Sequence, residues 1–203
     1  MTIVRTRTLA ILMIGIVVLF IGPPVSAESI TVYHTDFSDT TTGELPAGWT
    51  VMDVYGTWEV DENDELTPSS VSDDSTIVCD AAGVLTDFTV SGVLHNGAGR
   101  AGLVGRLQDE DTYYALRVTG TTYLDLFWND GEAYERMQHV ALDPDYTYGE
   151  MCTISLTFEG STISGEVRNA SDVVLGSFTD TDDRIASGKA GVRANSTTFG
   201  CAE

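Results

Sequence analysis

The chain has 203 residues, 31 of them acidic and ten basic, for a formal net charge of −21. That excess excludes a partner made of phosphates, because nucleic-acid binding needs a basic track, and it opposes docking on an anionic bilayer. It also predicts a salty habitat, since dissolved ions relieve the self-repulsion of a strongly acidic, halophilic protein.

Arg5 and Arg7 precede an uncharged apolar run from Leu9 to Gly22, and Val25, Ser26 and Ala27 supply the small residues that signal peptidase accepts. The run is shorter than the roughly 20 residues of a membrane-spanning helix. Residues 1–27 are therefore expected to be a signal peptide. The expected product is one domain over residues 28–203, secreted or held at the cell surface, with no membrane insertion of its own.

From Ser29 onward the chain is written in short pieces between polar turns. Strands are predicted at 30–34, 57–60, 76–80, 87–95, 101–107, 112–118, 122–128, 134–140, 151–158, 161–168, 172–178 and 189–194. Gly and Asp/Asn turns at 96–99, 109–111, 129–131 and 159–160 set an antiparallel rhythm, and residues 39–48 read as an irregular loop. Nothing carries a sustained helical stripe, so the fold class is all-β, a sandwich of two antiparallel sheets. Alternation assigns the faces. Leu103, Gly105 and Leu107 are expected to share one face and Val104 and Arg106 the other. Tyr114, Leu116 and Val118 oppose Tyr113, Ala115 and Arg117, and Leu124, Leu126 and Trp128 oppose Tyr123, Asp125 and Phe127. Cys79, Cys152 and Cys201 are an odd number. In an exported domain they predict one disulfide and one spare thiol, with the pairing left open.

The segments TDFSD at 35–39, GWTVMDVYGTWEVDENDELT at 48–67, LTDFTVSGVL at 85–94, AGLVGRLQDEDTYYALRV at 101–118, YGEMCTISLTFEGSTISGEV at 148–167 and GKAGVRANSTTFGCAE at 188–203 carry a resemblance. In that order they are similar to the concanavalin A-like lectin/glucanase superfamily, and specifically to its laminin-G-like jelly-roll domains. The resemblance implies a jelly-roll sandwich. Its members bind carbohydrate, hold calcium, adhere to proteins or hydrolyse glycans, so it implies a fold more strongly than an activity. Members usually end in a closing strand that pairs with the amino-terminal strand, here Ile30–Phe37, and by that pattern the closing strand is expected to be shortened or absent. In calcium-containing members the first strand often supplies a ligand, which implies Asp36 as the metal residue.

Hydrolysis on this fold uses Glu-x-Asp-x-Glu on one strand face, and a retaining mechanism needs two carboxyl groups about 5–5.5 Å apart. Here Glu59 and Asp61 are followed by Asn63, and DEND reads as a hairpin turn. His34, His95 and His139 form no ligand or triad spacing. The domain is therefore expected to be non-catalytic. Acidic turns at 109–111, 143–145 and 180–183 suit calcium by composition, without the twelve-residue loop pattern. The predicted outward set Arg106, Tyr113, Arg117, Tyr123 and Asp125 has the chemistry of a ligand site, with rings for sugar faces and charged groups for hydroxyls. Its structural counterpart is a surface ion pair of Arg117 with Asp125, worth roughly 0.2–1 kcal/mol. The expected function is a binding or adhesion module for carbohydrate or an extracellular protein. The alternative is a structural accessory joined to its assembly through an open sheet edge or the spare cysteine.

Overall fold

Period-two alternation of burial is clean over Met151–Glu159 and Thr162–Asn169 of the computed structural model, which describes residues 1–6, 29–96, 100–119, 122–146, 150–195 and 199–202. Sixteen strands are found among these residues. They are β1 (Thr2–Thr6), β2 (Ser29–His34), β3 (Trp49–Val51), β4 (Gly56–Val60), β5 (Leu66–Val71), β6 (Ser75–Cys79), β7 (Phe88–Asn96) and β8 (Arg100–Leu107). The chain continues through β9 (Thr112–Thr119), β10 (Tyr123–Asp130), β11 (Tyr134–Ala141), β12 (Met151–Glu159), β13 (Thr162–Asn169), β14 (Val174–Thr181), β15 (Lys189–Ala194) and β16 (Phe199–Ala202).

The strands form two antiparallel sheets. One runs β14-β13-β12-β7-β16-β5-β4, with β1 joining β7 to β2, and the other runs β11-β10-β9-β8-β15-β6-β3. Between them lies the main core, where Phe88, Val90, Leu94, Ile154, Leu156 and Phe158 of the first sheet face Leu103, Tyr114, Leu116, Leu124 and Leu126 of the second. Phe158 packs against Phe88 at 5.0 Å and Tyr114 at 5.7 Å between ring centroids, within the range of favourable tilted ring pairs. Trp49 and Trp58 are buried in the same core. The segment predicted as a hairpin turn is one: the amide of Asp61 donates to the Glu65 carbonyl at 2.9 Å, between β4 and β5.

β3, β5, β16 and β1 go beyond the sequence prediction. β5 contains Pro68, which lies beside a register shift in its pairing with β4, where a missing amide costs least. β16 is a four-residue strand that pairs with Val93–Asn96 of β7 and touches β5 at Leu66, and it does not pair with β2. β1 lies along the same edge of β7, with Thr2 opposite Ser91 and Arg5 opposite Phe88. It is also the strand to which β2 is paired. Met1 and Ile3 are buried in the main core, and the Met1 amino group donates to the Thr35 carbonyl at 2.7 Å. The expected processing site near Ala27 lies outside the described residues. No helix among the described residues is long and apolar enough to cross a membrane.

One expectation is corrected by packing. No disulfide forms: Cys79, Cys152 and Cys201 are all buried thiols. Cys152 and Cys201 both sit opposite Leu94, on its two sides, so a whole strand separates them. Burial raises the Cys152 and Cys201 thiols to about 11. β2, the strand whose edge was expected to be open, pairs with β1 alone among the described residues.

Candidate functional site

β8 carries the bulge that decides which predicted residues reach the outer face of the second sheet. Arg106 has φ 48°, and the pairing of β8 with β15 shifts there, with Leu107 opposite Lys189 and Val104 opposite Gly191. Three steps on β8 match two on β15, the signature of an extra residue. The strand turns over at that point. Leu107 joins the outer apolar cluster, and Arg106, expected on the outer face, is sent inward and is 1% exposed. Its guanidinium donates to the carbonyls of Thr86 (3.3 and 3.1 Å), Ile185 (2.8 Å) and Gly160 (2.6 Å) and lies 4.7 Å from the Phe158 ring centre. A Cβ at Gly188 would meet the Arg106 carbonyl carbon at 2.2 Å, so only glycine admits this crossing. Arg106 closes one end of the sandwich and leaves the outer face.

That outer face is not simply solvated. Val78, Val104, Leu107, Tyr113, Ala115 and Phe127 form a second buried cluster on it, with Met52 packed against them. Consequently β9 is buried on both faces, where alternation alone predicted an exposed mixed face. Across the cluster runs a row of residues in register, polar except for one glycine: His139, Asp125, Arg117, Gly102, Arg193 and Thr76. Arg117 (3% exposed) and Asp125 (2%) are neighbours in this row, yet each has another partner. Nη1 of Arg117 donates to Oδ2 of Asp74 at 2.9 Å, and Nη2 of Arg193 lies 3.4 Å from the same oxygen. Gly102 stands between the two arginines, where a Cβ would meet the Leu116 carbonyl at 1.8 Å. Asp125 binds His139 Nδ1 at 2.5 Å, and Tyr123 stacks on that imidazole at 4.0 Å. The surface ion pair expected between Arg117 and Asp125 is therefore replaced by two separate pairs. The cause is Asp74, which the β5–β6 connection folds over the sheet.

Beside the arginines opens a cleft of about 420 Å³. Tyr113 (1% exposed) on β9, Asn129 on β10 and Tyr134 on β11 lie in register along one side. Arg193 on β15 comes from the other, its guanidinium 5.2 Å from the Tyr113 ring centre, and donates to Thr76 Oγ1 at 2.7 Å. The β3–β4 connection adds Asp53 and Tyr55, the β5–β6 connection Asp74, and the β8–β9 turn Glu110 and Asp111. Asp53 is held by amides, accepting from Tyr55 at Oδ1 (2.9 Å) and from Thr76 at Oδ2 (2.6 Å). Burial pushes the Tyr134 hydroxyl up to about 12, so the ring carries a neutral hydroxyl over the whole physiological range.

Of the five predicted ligand residues, Tyr113 lines the cleft and Arg117 lies next to it as the second cation on Asp74. Tyr123 and Asp125 stand with His139, outside the cleft lining. Sequence reasoning missed Tyr55, Asp74, Tyr134 and Arg193. Their shared signal was weak, since they come from four separate elements and only the tertiary fold gathers them. Asp36 makes a local turn: its Oδ1 accepts from the Ser38 amide at 3.1 Å and the Ser38 hydroxyl at 2.8 Å, bonds that lower its carboxyl. Among the described residues no group of three or more His, Cys, Asp or Glu is placed to hold a metal ion, at Asp36 or at the acidic turns.

No family model and no curated protein matches the chain in sequence. Solved structures match it in shape. A carbohydrate-binding module, CBM66 from Bacillus subtilis, superposes with TM-score 0.63 at 18% identity, covering 77% of this chain and 92% of that one. The basic winged bean lectin, solved with Tn-antigen, gives 0.56 at 9% identity over 82% of this chain and 93% of the lectin. Xylan β-1,4-xylosidase from Bacillus halodurans C-125 gives 0.57 at 14% identity, over 83% of this chain and 38% of the enzyme. At these identities the likeness shows the fold: this chain is a two-sheet antiparallel jelly-roll sandwich of the kind found in lectins and carbohydrate-binding modules.

Proposed function

We propose that this domain is a secreted, non-catalytic carbohydrate-binding module whose ligand lies in the cleft between Tyr55, Tyr113, Tyr134 and Arg193. The carrying observation is this convergence on one outer sheet face of aromatic rings with an arginine, an amide and carboxylates, the mixture that a sugar's apolar faces and hydroxyls require. The named binding function of two of the similar structures supports the same reading. A hydrolytic role has less support. Asp53 is engaged by two backbone amides and Asp74 by two guanidinium groups, while Glu110 and Asp111 stand exposed on the β8–β9 turn.

A glycan array with the full chain tests the reading. Tyr134→Ala is expected to weaken any glycan bound by the parent at least about tenfold, near 1.4 kcal/mol. Tyr123→Ala, which removes a ring outside the cleft, is expected to leave it within about twofold. Equal loss in both variants, or no glycan bound by the parent, refutes the assignment.

A further inference from the structure

We infer that the mouth of the cleft is a charge filter, admitting uncharged or amino-bearing sugars and turning away sugars that carry carboxylate or sulfate. The inference rests on the glycan-binding reading above and specifies its ligand class. Four carboxylates, Asp53, Asp74, Glu110 and Asp111, line the cleft with one cation, Arg193. That cation is already committed: it approaches Asp74 from one side as Arg117 does from the other, and it donates to Thr76 Oγ1. Glu110 and Asp111 stand exposed on the β8–β9 turn at the mouth, and among the described residues no Arg, Lys or His pairs with them or with Asp53. An incoming anion therefore meets four carboxylates against Arg193, with Arg117 next to them, a net negative lining at short range. A hydroxyl can donate to these carboxylates at no such cost, and an ammonium is attracted by them.

A filter at the rim differs from the general repulsion of a chain with net charge −21, and the two separate on a local substitution. Neutral glycans bound by the full chain are paired with counterparts that differ by one group, galactosides against galacturonides, glucosides against glucuronides, and each against its amino sugar. Affinities are measured by calorimetry at about 0.05 M and about 1 M salt. The uronate is expected to bind at least about tenfold more weakly than its neutral partner at low salt, with the gap narrowing at high salt, and the amino sugar no more weakly than the neutral one. Glu110→Gln with Asp111→Asn is expected to shrink the uronate gap at least about threefold. Glu62→Gln with Asp64→Asn, an equal change in charge placed at the far end of β4 in the β4–β5 turn, is expected to leave the gap unchanged. Equal binding of uronate and neutral partner by the parent overturns the filter while leaving the glycan reading intact. Equal narrowing in both double variants overturns it too, since the effect is then the charge of the whole chain. Absence of binding to every glycan overturns both.

Discussion

Replacing Arg117 by leucine separates the buried triad of the structure from the surface pair that the sequence suggests. In the folded chain the guanidinium is 3% exposed, bonds Asp74 at 2.9 Å and covers the Phe127 ring at 4.1 Å. Breaking a buried charge pair costs about 3–5 kcal/mol when the remaining charge is abandoned. Here Arg193 stays within 3.4 Å of Asp74, so the expected loss lies at the low end, about 3 kcal/mol. For a chain of this size that is a fall in Tm of about 6–12 °C. A double-mutant cycle in urea identifies the partner: Arg117→Leu with Asp74→Asn is expected to show coupling of about 2 kcal/mol, and Arg117→Leu with Asp125→Asn less than about 0.5 kcal/mol. A loss under about 1 kcal/mol, or stronger coupling to Asp125 than to Asp74, would refute the buried triad and return Arg117 to the surface.

Arg106→Met, which removes four hydrogen bonds to three backbone carbonyls, is expected to lower stability by about 3 kcal/mol in urea titrations and to leave glycan affinity unchanged. A loss of binding at unchanged stability would contradict its placement at the end of the sandwich. The acid limb of stability reports on Asp80, whose carboxyl is lowered first by the hydrogen bond from Lys189 Nζ at 2.5 Å and then by that from Thr50 Oγ1 at 2.6 Å. A depressed carboxyl contributes stability above its unfolded value near 3.9 and loses it as pH falls through the folded value. Lys189→Met is thus expected to cost under about 1 kcal/mol at neutral pH, the pair being a third exposed, and progressively less as pH falls through the depressed carboxyl value. A difference in urea midpoint that persists in acid would show that Lys189 acts through packing.

The fold was legible because alternation of apolar and polar residues is a local signal, and strands such as β12 and β13 obey it along their length. It failed where one residue changes the count. The bulge at Arg106 reverses every side chain after it, so Leu107 and Arg106 exchange faces, and nothing in AGLVGRL marks the extra step. β5 escaped because Pro68, Ser69 and Ser70 carry no apolar alternation, while its pairing is decided by β4. The site was legible at Tyr113 alone. Asp74, from a polar connection, settles the partners of Arg117 and Arg193 from 43 residues and more than a hundred residues away, distances over which periodicity says nothing.

One edge of β7 is a splice. β16, from the end of the chain, and β1, from its beginning, run in the same direction and lie end to end along that edge, so β7 acts as a splint holding both tips. Whatever engages residues 2–6 elsewhere strips Phe88–Ser91 of their partners on that edge and leaves β2 beside no other strand among the described residues. It also withdraws Met1 and Ile3 from the core. The order of the first sheet is therefore coupled to the fate of the first six residues.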